Sequence, residues 1–277
     1  FVTGIVSSAF AIAMVPLVSV GWTVISNGIA RFDATFFSSS MRGIVGEGGG
    51  AVHAIWGTLL ITLTAAIISV PIGLMTAIYL IEYGQEKRLA RAITFLVDVM
   101  TGIPSIVAGL FAFALFALIF GPGVRMGFAG AVALSVLMIP VVVRSSEEML
   151  RLVPNELREA SYALGVPKWL TIVKVVLPTS IAGITTGVML AIARVIGETA
   201  PLLITAGFTD AMNQNLFDGR MQTLPVYIYS QYAYKGIPPE AYVDRAWAAA
   251  LTLILIVMAL NLIARIVAKV FAPKTGR

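Results

Sequence analysis

The sequence predicts an all-α polytopic membrane protein, and three observations support this class. The chain has 277 residues, of which 58% are hydrophobic and only 12% are charged, whereas soluble domains carry roughly 25% charged residues. Its mean hydropathy is +0.93. Apolar runs long enough to cross a bilayer recur along the chain, because about 20 helical residues span a hydrocarbon layer roughly 30 Å thick. We therefore expect membrane lipid around most of the protein.

Six apolar runs predict six transmembrane helices in a single domain covering residues 1–277. Their expected limits are about 2–25, 55–81, 93–120, 126–143, 181–206 and 246–268. Gly102–Ser105 interrupts the third run, which favours either a packing kink or a segment that lines a cavity, since freed backbone groups need protein or water as partners. A polar segment, about 147–178, separates the fourth run from the fifth.

The distribution of Lys and Arg predicts the orientation, because these residues collect in cytoplasmic loops. The side that includes the 147–178 segment carries Lys87, Arg88, Arg91, Arg151, Arg158, Lys168, Lys174, Lys269, Lys274 and Arg277. The other side carries Arg31, Arg42, Arg125, Arg220 and Lys235. Both termini and the polar segment are thus expected in the cytoplasm. The net charge of +5 reflects this bias. The sequence contains no basic run interleaved with aromatic residues, which is the pattern that would indicate nucleic-acid binding.

Several kinds of active site are excluded by composition. The chain has no cysteine and one histidine, His53, so disulfides and Cys- or His-based metal clusters are not expected. No Ser–His–Asp grouping or HExxH motif is present, and we expect no catalytic residue. The glycines of Gly46–Gly50 lack the Lys-Ser/Thr that closes a phosphate-binding loop, so this segment is interpreted as a flexible linker.

Charged residues inside the apolar runs are the candidate functional residues, because a charge at bilayer depth costs at least about 2.5–3.5 kcal/mol. Arg194 and Glu198 are four residues apart and are expected on one helix face. They form either a structural ion pair or part of an anion pathway, since a guanidinium matches an oxyanion. Arg144 is either a snorkelling anchor or a second pathway residue. For Asp98 we expect an interfacial cap, with a functional role as the alternative.

Residues 154–178 predict a short polar helix on the cytoplasmic side. Pro154 interrupts the preceding helix, Asn155 is a candidate cap, and Gly165 suits the C-terminal end. Pro178 is expected to mark the start of the fifth span. A connector lying on the membrane surface is the alternative, but the apolar face of this helix is small.

Within this segment, Glu159-Ala160-Ser161, Gly165 and Val175–Pro178 resemble the EAA motif of ABC importer permeases, with Ser161 and Val175 as mild departures. Three further stretches, GIPSIVAGLF, RVIGETAPLL and TLPVYIY, resemble phosphate-specific permeases of the PstA type. The chain is identified on these motifs as similar to that family over about residues 55–265.

The resemblance implies a type I ABC importer permease fold of six transmembrane helices with a cytoplasmic coupling helix. The residues it implies for contact with the ATPase are Glu159, Ala160, Ser161, Leu164 and Gly165. The residues we expect along the phosphate pathway are Arg194, Glu198, Arg144 and Ser105. ATP and Mg would be bound by the separate ATPase chain, and no cofactor is expected on this one.

The implied partners are a PstC-type second permease, two copies of an ATPase and an extracytoplasmic phosphate-binding protein, in a bacterial or archaeal cytoplasmic membrane. Three alternatives remain at this point. The chain could be a stand-alone secondary transporter or channel for an inorganic anion, a permease for sulfate or another oxyanion, or a scaffold subunit without a pathway of its own.

Overall fold

The computed structural model describes residues 2–84 and 87–271, and every regular element in those ranges is helical. The helices are α1 (Val2–Gly28), α2 (Ala34–Ser38), α3 (Val52–Ile78), α4 (Arg88–Thr101), α5 (Ser105–Phe120), α6 (Gly127–Arg151), α7 (Asn155–Ala163), α8 (Lys168–Thr171), α9 (Leu177–Val195), α10 (Ala200–Thr205), α11 (Leu224–Ala233) and α12 (Pro239–Phe271). The predicted all-α class is confirmed. Lys274 and Arg277, which contributed to the orientation argument, lie outside the described residues.

Five helical segments in the described ranges are long and apolar enough to cross a membrane, and the bent pair Arg88–Thr101 and Ser105–Phe120 makes a sixth if its two helices count together as one span. The five are Val2–Arg31, Val52–Tyr83, Gly127–Arg151, Lys168–Val195 and Pro239–Ile266. In the second, the π-helical turn Tyr79–Tyr83 extends α3 at its C-terminal end, and in the fourth the π-helical turn Ile172–Val176 joins α8 to α9. This is the polytopic architecture that the hydropathy predicts.

The run expected at 93–120 is not one helix. It consists of α4 and α5, whose axes differ by 109° across the break at Gly102–Pro104. Pro104 disfavours the helical conformation at Ile103 and has no N–H for an intrahelical bond, so α5 begins only at Ser105. The apolar composition is continuous through the break, and only Gly102 and Pro104 mark it in the sequence.

The run expected at 181–206 also differs in its limits. The helix begins at Lys168, continues through the π-helical turn and ends at Val195, and the short α10 follows after a four-residue turn. Pro178 therefore lies inside a continuous helix and does not mark its start. Its missing N–H falls next to the π-helical turn, where the backbone hydrogen bonds already depart from the α pattern.

The centre of the bundle is formed by α3, α6 and α9. The most apolar stretch of α6 is 67% buried, against 0% for α1, so α6 is the central helix. Small residues allow the close approach: a Cβ on Gly73 of α3 would lie 2.7 Å from the Val142 side chain, and one on Gly187 of α9 would lie 2.5 Å from that of Ser145. Membrane helices commonly use small residues in this way, because lipid gives no hydrophobic drive for their association.

At the end of the bundle opposite α7, the Gly46–Gly50 segment is held in place, and its interpretation as a flexible linker is wrong. Arg245 of α12 is fully buried and donates through Nη1 to the carbonyl oxygens of Gly46 at 2.7 Å and Gly48 at 2.9 Å. Its Nε donates to Oε1 of Gln231 on α11 at 2.9 Å. The glycine segment therefore serves as the hydrogen-bond acceptor that a buried guanidinium needs.

Candidate functional site

Helix α7 is short and bounded, as the sequence predicts. It begins after Pro154, and Gly165 follows it at φ +77°, a left-handed conformation that favours glycine. The expectation that Asn155 caps the helix is wrong, because Pro154 occupies the cap position and no side chain caps it. The Asn155 side chain is instead an acceptor for Arg158, at 3.2 Å between Oδ1 and Nη1.

One face of α7 is open to solvent and the other is fixed to the protein. Glu159, Ala160 and Gly165 are exposed, and Leu164 is 84% exposed. Ser161, in contrast, is buried and shares a 2.9 Å hydrogen bond with the Thr171 hydroxyl of α8. Four of the five residues expected to contact an ATPase thus form an accessible surface, whereas Ser161 joins α7 to the next helix.

A buried ion pair connects α7 with the end of α3. Arg158 of α7 donates from Nε at 3.1 Å and from Nη2 at 2.9 Å to Oε1 of Glu82, which lies in the π-helical turn after α3. The side chains are 12% and 4% exposed. We call this pair the Glu82–Arg158 brace.

The same guanidinium also bonds to the end of α6. It donates from Nη1 to the carbonyl oxygen of Val153 at 2.6 Å and from Nη2 to that of Leu150 at 3.0 Å. Carbonyls in the last turn of a helix have no intrahelical partner and attract cations. Lys168 of α8 donates to the main-chain oxygen of Glu82. The brace therefore lies where α3, α6, α7 and α8 meet.

A second ionic cluster lies in the same half of α6 and involves Arg144. Its Nη2 pairs with Asp98 of α4, and its Nη1 pairs with Glu147 at 2.8 Å. Glu147 is 4% exposed and Asp98 is 59% exposed. The expectation that Asp98 is an interfacial cap is wrong, because its carboxylate bonds to the guanidinium of another helix.

Arg194 and Glu198 do not share a helix face. Helix α9 ends at Val195, so Glu198 lies in the following turn, and no salt bridge joins the two within residues 2–84 and 87–271. Arg194 is exposed and Glu198 partly buried. Arg194 follows Gly187, the residue packed on Ser145, by seven positions, which places it about 10 Å farther along the bundle than Arg144. Ser105 is partly buried at the first position of α5.

Sequence reasoning missed Glu82, Glu147 and the inward role of Arg158. The signal for Glu82 is a single carboxylate in the last turn of an apolar run, in YLIEYG. Glu147 follows Arg144 by three residues, a spacing that brings side chains together on a helix. Neither pattern identifies the partner, since Arg158 is 76 residues away from Glu82.

Comparison with known sequences gives consistent matches over most of the chain. Residues 69–277 match the model of the family described as binding-protein-dependent transport system inner membrane component. The phosphate transport system permease protein PstA 1 of Mycobacterium tuberculosis (strain CDC 1551 / Oshkosh) is 49% identical over 263 residues, which is 94% of this chain and 85% of that protein. PstA of Pasteurella multocida (strain Pm70) is 40% identical over 88% of this chain and 85% of its own length.

Solved structures show the same fold in other transporters. A chain of a bacterial alginate ABC transporter, in complex with its alginate-bound periplasmic protein, superposes with a TM-score of 0.68 at 14% identity, covering 100% of this chain and 96% of that one. A chain of the MetNI methionine ABC transporter gives 0.66 at 21% identity, covering 80% and 95%. The fold is therefore that of ABC importer permeases. With the family match and the PstA relatives, this shows that the chain belongs to the binding-protein-dependent transport system inner membrane components and, among them, to the PstA-type permeases.

Proposed function

We propose that the chain is the transmembrane permease subunit of an ATP-driven phosphate importer and forms half of its translocation pathway. The two PstA relatives described above are named as phosphate transport permeases. Both are at least 40% identical to this chain over most of its length. This similarity favours an importer subunit over a stand-alone anion transporter and over a scaffold.

The observation that carries the coupling part of the proposal is the exposed face of α7. Glu159, Ala160 and Leu164 project from a helix whose opposite face is bonded to α3, α6 and α8. A short rigid helix that exposes a leucine and a carboxylate can bind in a cleft on the surface of another protein. We assign this surface to the ATPase, with Gly165 ending the helix and Ser161 holding its orientation.

ATP would act through this surface. When two ATPase subunits close on ATP, the α7 helices of the two permeases approach each other, and the helices bonded to α7 follow. The cavity between the permeases then opens outward, and hydrolysis returns it to the inward-open form. ATP and Mg would be bound by the ATPase, and this chain would supply the helices that line one side of the cavity and move.

Phosphate would pass along cationic side chains on neighbouring helices. Arg194 offers an exposed guanidinium on α9, and Arg144 of α6 lies about 10 Å farther along the bundle axis. Conduction requires sites that an anion also leaves readily. At Arg144, Asp98 competes with the anion for the guanidinium, which keeps that site weak. Glu198, in the turn after α9, would place a carboxylate near this end of the pathway without pairing with Arg194, and Ser105 would provide a hydroxyl at the break between α4 and α5.

The remaining partners follow from this assignment. A PstC-type permease would complete the pathway, two ATPase copies would bind in the cytoplasm, and an extracytoplasmic phosphate-binding protein would deliver the substrate. Both termini and α7 would be cytoplasmic, in agreement with the excess of Lys and Arg at that end.

Reconstitution tests the proposal. Both permeases and the ATPase are placed in proteoliposomes with the phosphate-binding protein outside and ATP inside, and uptake of radiolabelled phosphate is measured with and without sulfate or arsenate. We expect uptake that requires both ATP and the binding protein. Uptake by this chain alone without ATP would establish a stand-alone transporter, and uptake of sulfate in preference to phosphate would reassign the substrate.

A further inference from the structure

The attachment of α7 to the rest of the protein is mainly polar. Ser161 is its buried residue, whereas its larger apolar side chains, Leu157 and Tyr162, are 41% and 40% exposed. Helices normally bind their neighbours through a buried apolar face. Because α7 lacks one, its position depends on the Ser161–Thr171 hydrogen bond and on the Glu82–Arg158 brace.

The brace has the geometry of a rigid connection. Arg158 uses Nε, Nη1 and Nη2 simultaneously, so its planar fork is held by the Glu82 carboxylate on one side and by carbonyl oxygens of Leu150 and Val153 on the other. Guanidinium is suited to this task because its donors lie in one plane with fixed directions. The Arg158 side chain is 12% exposed and that of Glu82 is 4% exposed, so this pair is screened less than a surface ion pair. A displacement of α7 therefore also displaces the ends of α3 and α6.

We propose that the Glu82–Arg158 brace is the element that transmits movement of α7 to the membrane-spanning helices α3 and α6. The inference rests on the proposed function, since it requires α7 to be the surface moved by the ATPase. The inference adds a positioning role for Glu82 and Arg158, which belong neither to the face of α7 assigned to the ATPase nor to the residues of the proposed anion pathway. Without the brace, α7 is expected to move with the ATPase while α3 and α6 lag behind.

The brace lies in a pocket of about 460 Å³ whose lining also includes Arg151, Lys168 and Tyr162. These neighbours supply a matched control. The Arg151 side chain is 67% exposed and its nearest carboxylate, on Glu147, is 3.9 Å away. Arg151→Gln therefore removes the same charge from the same pocket without breaking the connection between α3 and α7.

The test uses the complete transporter in proteoliposomes and measures phosphate imported per ATP hydrolysed. Variants are Arg158→Gln, Glu82→Gln, the double Glu82→Gln/Arg158→Gln, and the control Arg151→Gln. For both single variants we expect the ATPase to co-purify and hydrolyse ATP, with import per ATP at least tenfold lower. Arg151→Gln is expected to retain the wild-type ratio.

The double variant separates transmission from simple destabilisation. A single Gln leaves one buried charge unpaired, and the double variant removes both charges. If the single variants fail only because of an unpaired charge, or do not assemble for that reason, the double variant regains the wild-type import ratio, and the inference is overturned. Transmission through the brace predicts that the assembled double variant stays uncoupled.

The wild-type result distinguishes this inference from the proposed function. Wild-type import together with an unchanged ratio in all brace variants rejects the brace and leaves the proposed function standing. Absence of ATP-dependent import by the wild type rejects the proposed function itself.

Discussion

The two carboxylates at Arg144 differ in how easily they can be replaced. Glu147 is buried and needs the guanidinium as its counter-charge, because an unpaired buried carboxylate is costly. Asp98 is 59% exposed, and exposed ion pairs contribute only about 0–1 kcal/mol. An arriving anion can therefore displace Asp98 while Glu147 stays bonded. On the proposed pathway, Glu147 would remain the partner of Arg144 and Asp98 would be the one that exchanges with substrate.

Removal of the exchangeable carboxylate is expected to strengthen the site and slow release. For Asp98→Asn we expect the KM for phosphate to fall at least threefold and the turnover number to fall as well, because the anion no longer competes with a carboxylate. Uptake kinetics in proteoliposomes measure both quantities. Asp218→Asn, which removes an exposed carboxylate from the chain segment before α11, is the control. An unchanged or higher KM in Asp98→Asn would contradict the competition.

Arg194 is expected to be required for transport but not for folding, because it is exposed and has no ion-pair partner among the described residues. Arg194→Gln should lower phosphate uptake at least tenfold while the complex assembles normally. Arg265→Gln, at another exposed arginine in a membrane-spanning helix, should leave uptake close to wild type. Equal uptake by the two variants would remove Arg194 from the pathway.

Among the elements, α7 combines an exposed apolar tip with a polar base. Leu164 is 84% exposed, and burying a leucine side chain in a partner contributes about 1.5–3 kcal/mol. Leu164→Glu should therefore weaken ATPase binding by about 10- to 100-fold, measured by co-purification and by titration of the permease with labelled ATPase. Val45→Glu changes an equally exposed apolar residue, 87% exposed, at the opposite end. If both variants retain the ATPase equally, the docking surface is elsewhere.

Local signals in the sequence were sufficient for some elements and could not reveal others. Gly165 ends α7 and Pro104 interrupts the run expected at 93–120, and both effects act within a few residues, so the sequence predicts the end of α7 and the position of this interruption, although not the division into two helices. The partners of Arg158 and Arg144 are 76 and 46 residues away. Such pairs depend on which helices the bundle places side by side, and hydropathy carries no information about that.

Arg245 shows the same limitation at the other end of the bundle. Its acceptor Gly46 is 199 residues away in the sequence, and the Gly46–Gly50 segment has the composition of a flexible linker. Only the fold brings the buried guanidinium to these carbonyl groups. The glycine content of the segment therefore sets the range of backbone conformations open to it, whereas its contact with the neighbouring helix determines which conformation it adopts.

At the scale of the whole molecule, the bundle has two different ends. One end carries α7, the brace and Arg151, and the other carries the glycine segment around Arg245 and the short helix α11. An importer requires this polarity, because ATP is available on one side of the membrane and the binding protein on the other. The excess of Lys and Arg at the α7 end predicts that this end is cytoplasmic.

Single cysteines can test the orientation, since the chain has none of its own. Val45→Cys and Leu164→Cys replace apolar residues of nearly equal exposure, 87% and 84%, at opposite ends. With a membrane-impermeant maleimide, we expect Val45→Cys to react in intact spheroplasts and Leu164→Cys to react only after the membrane is opened. Expressing the chain without its ATPase keeps position 164 uncovered, so protection in intact spheroplasts reports the membrane alone. Labelling in the reverse order would place α7 outside the cell, where no ATPase could drive it, and would reject the importer assignment as a whole.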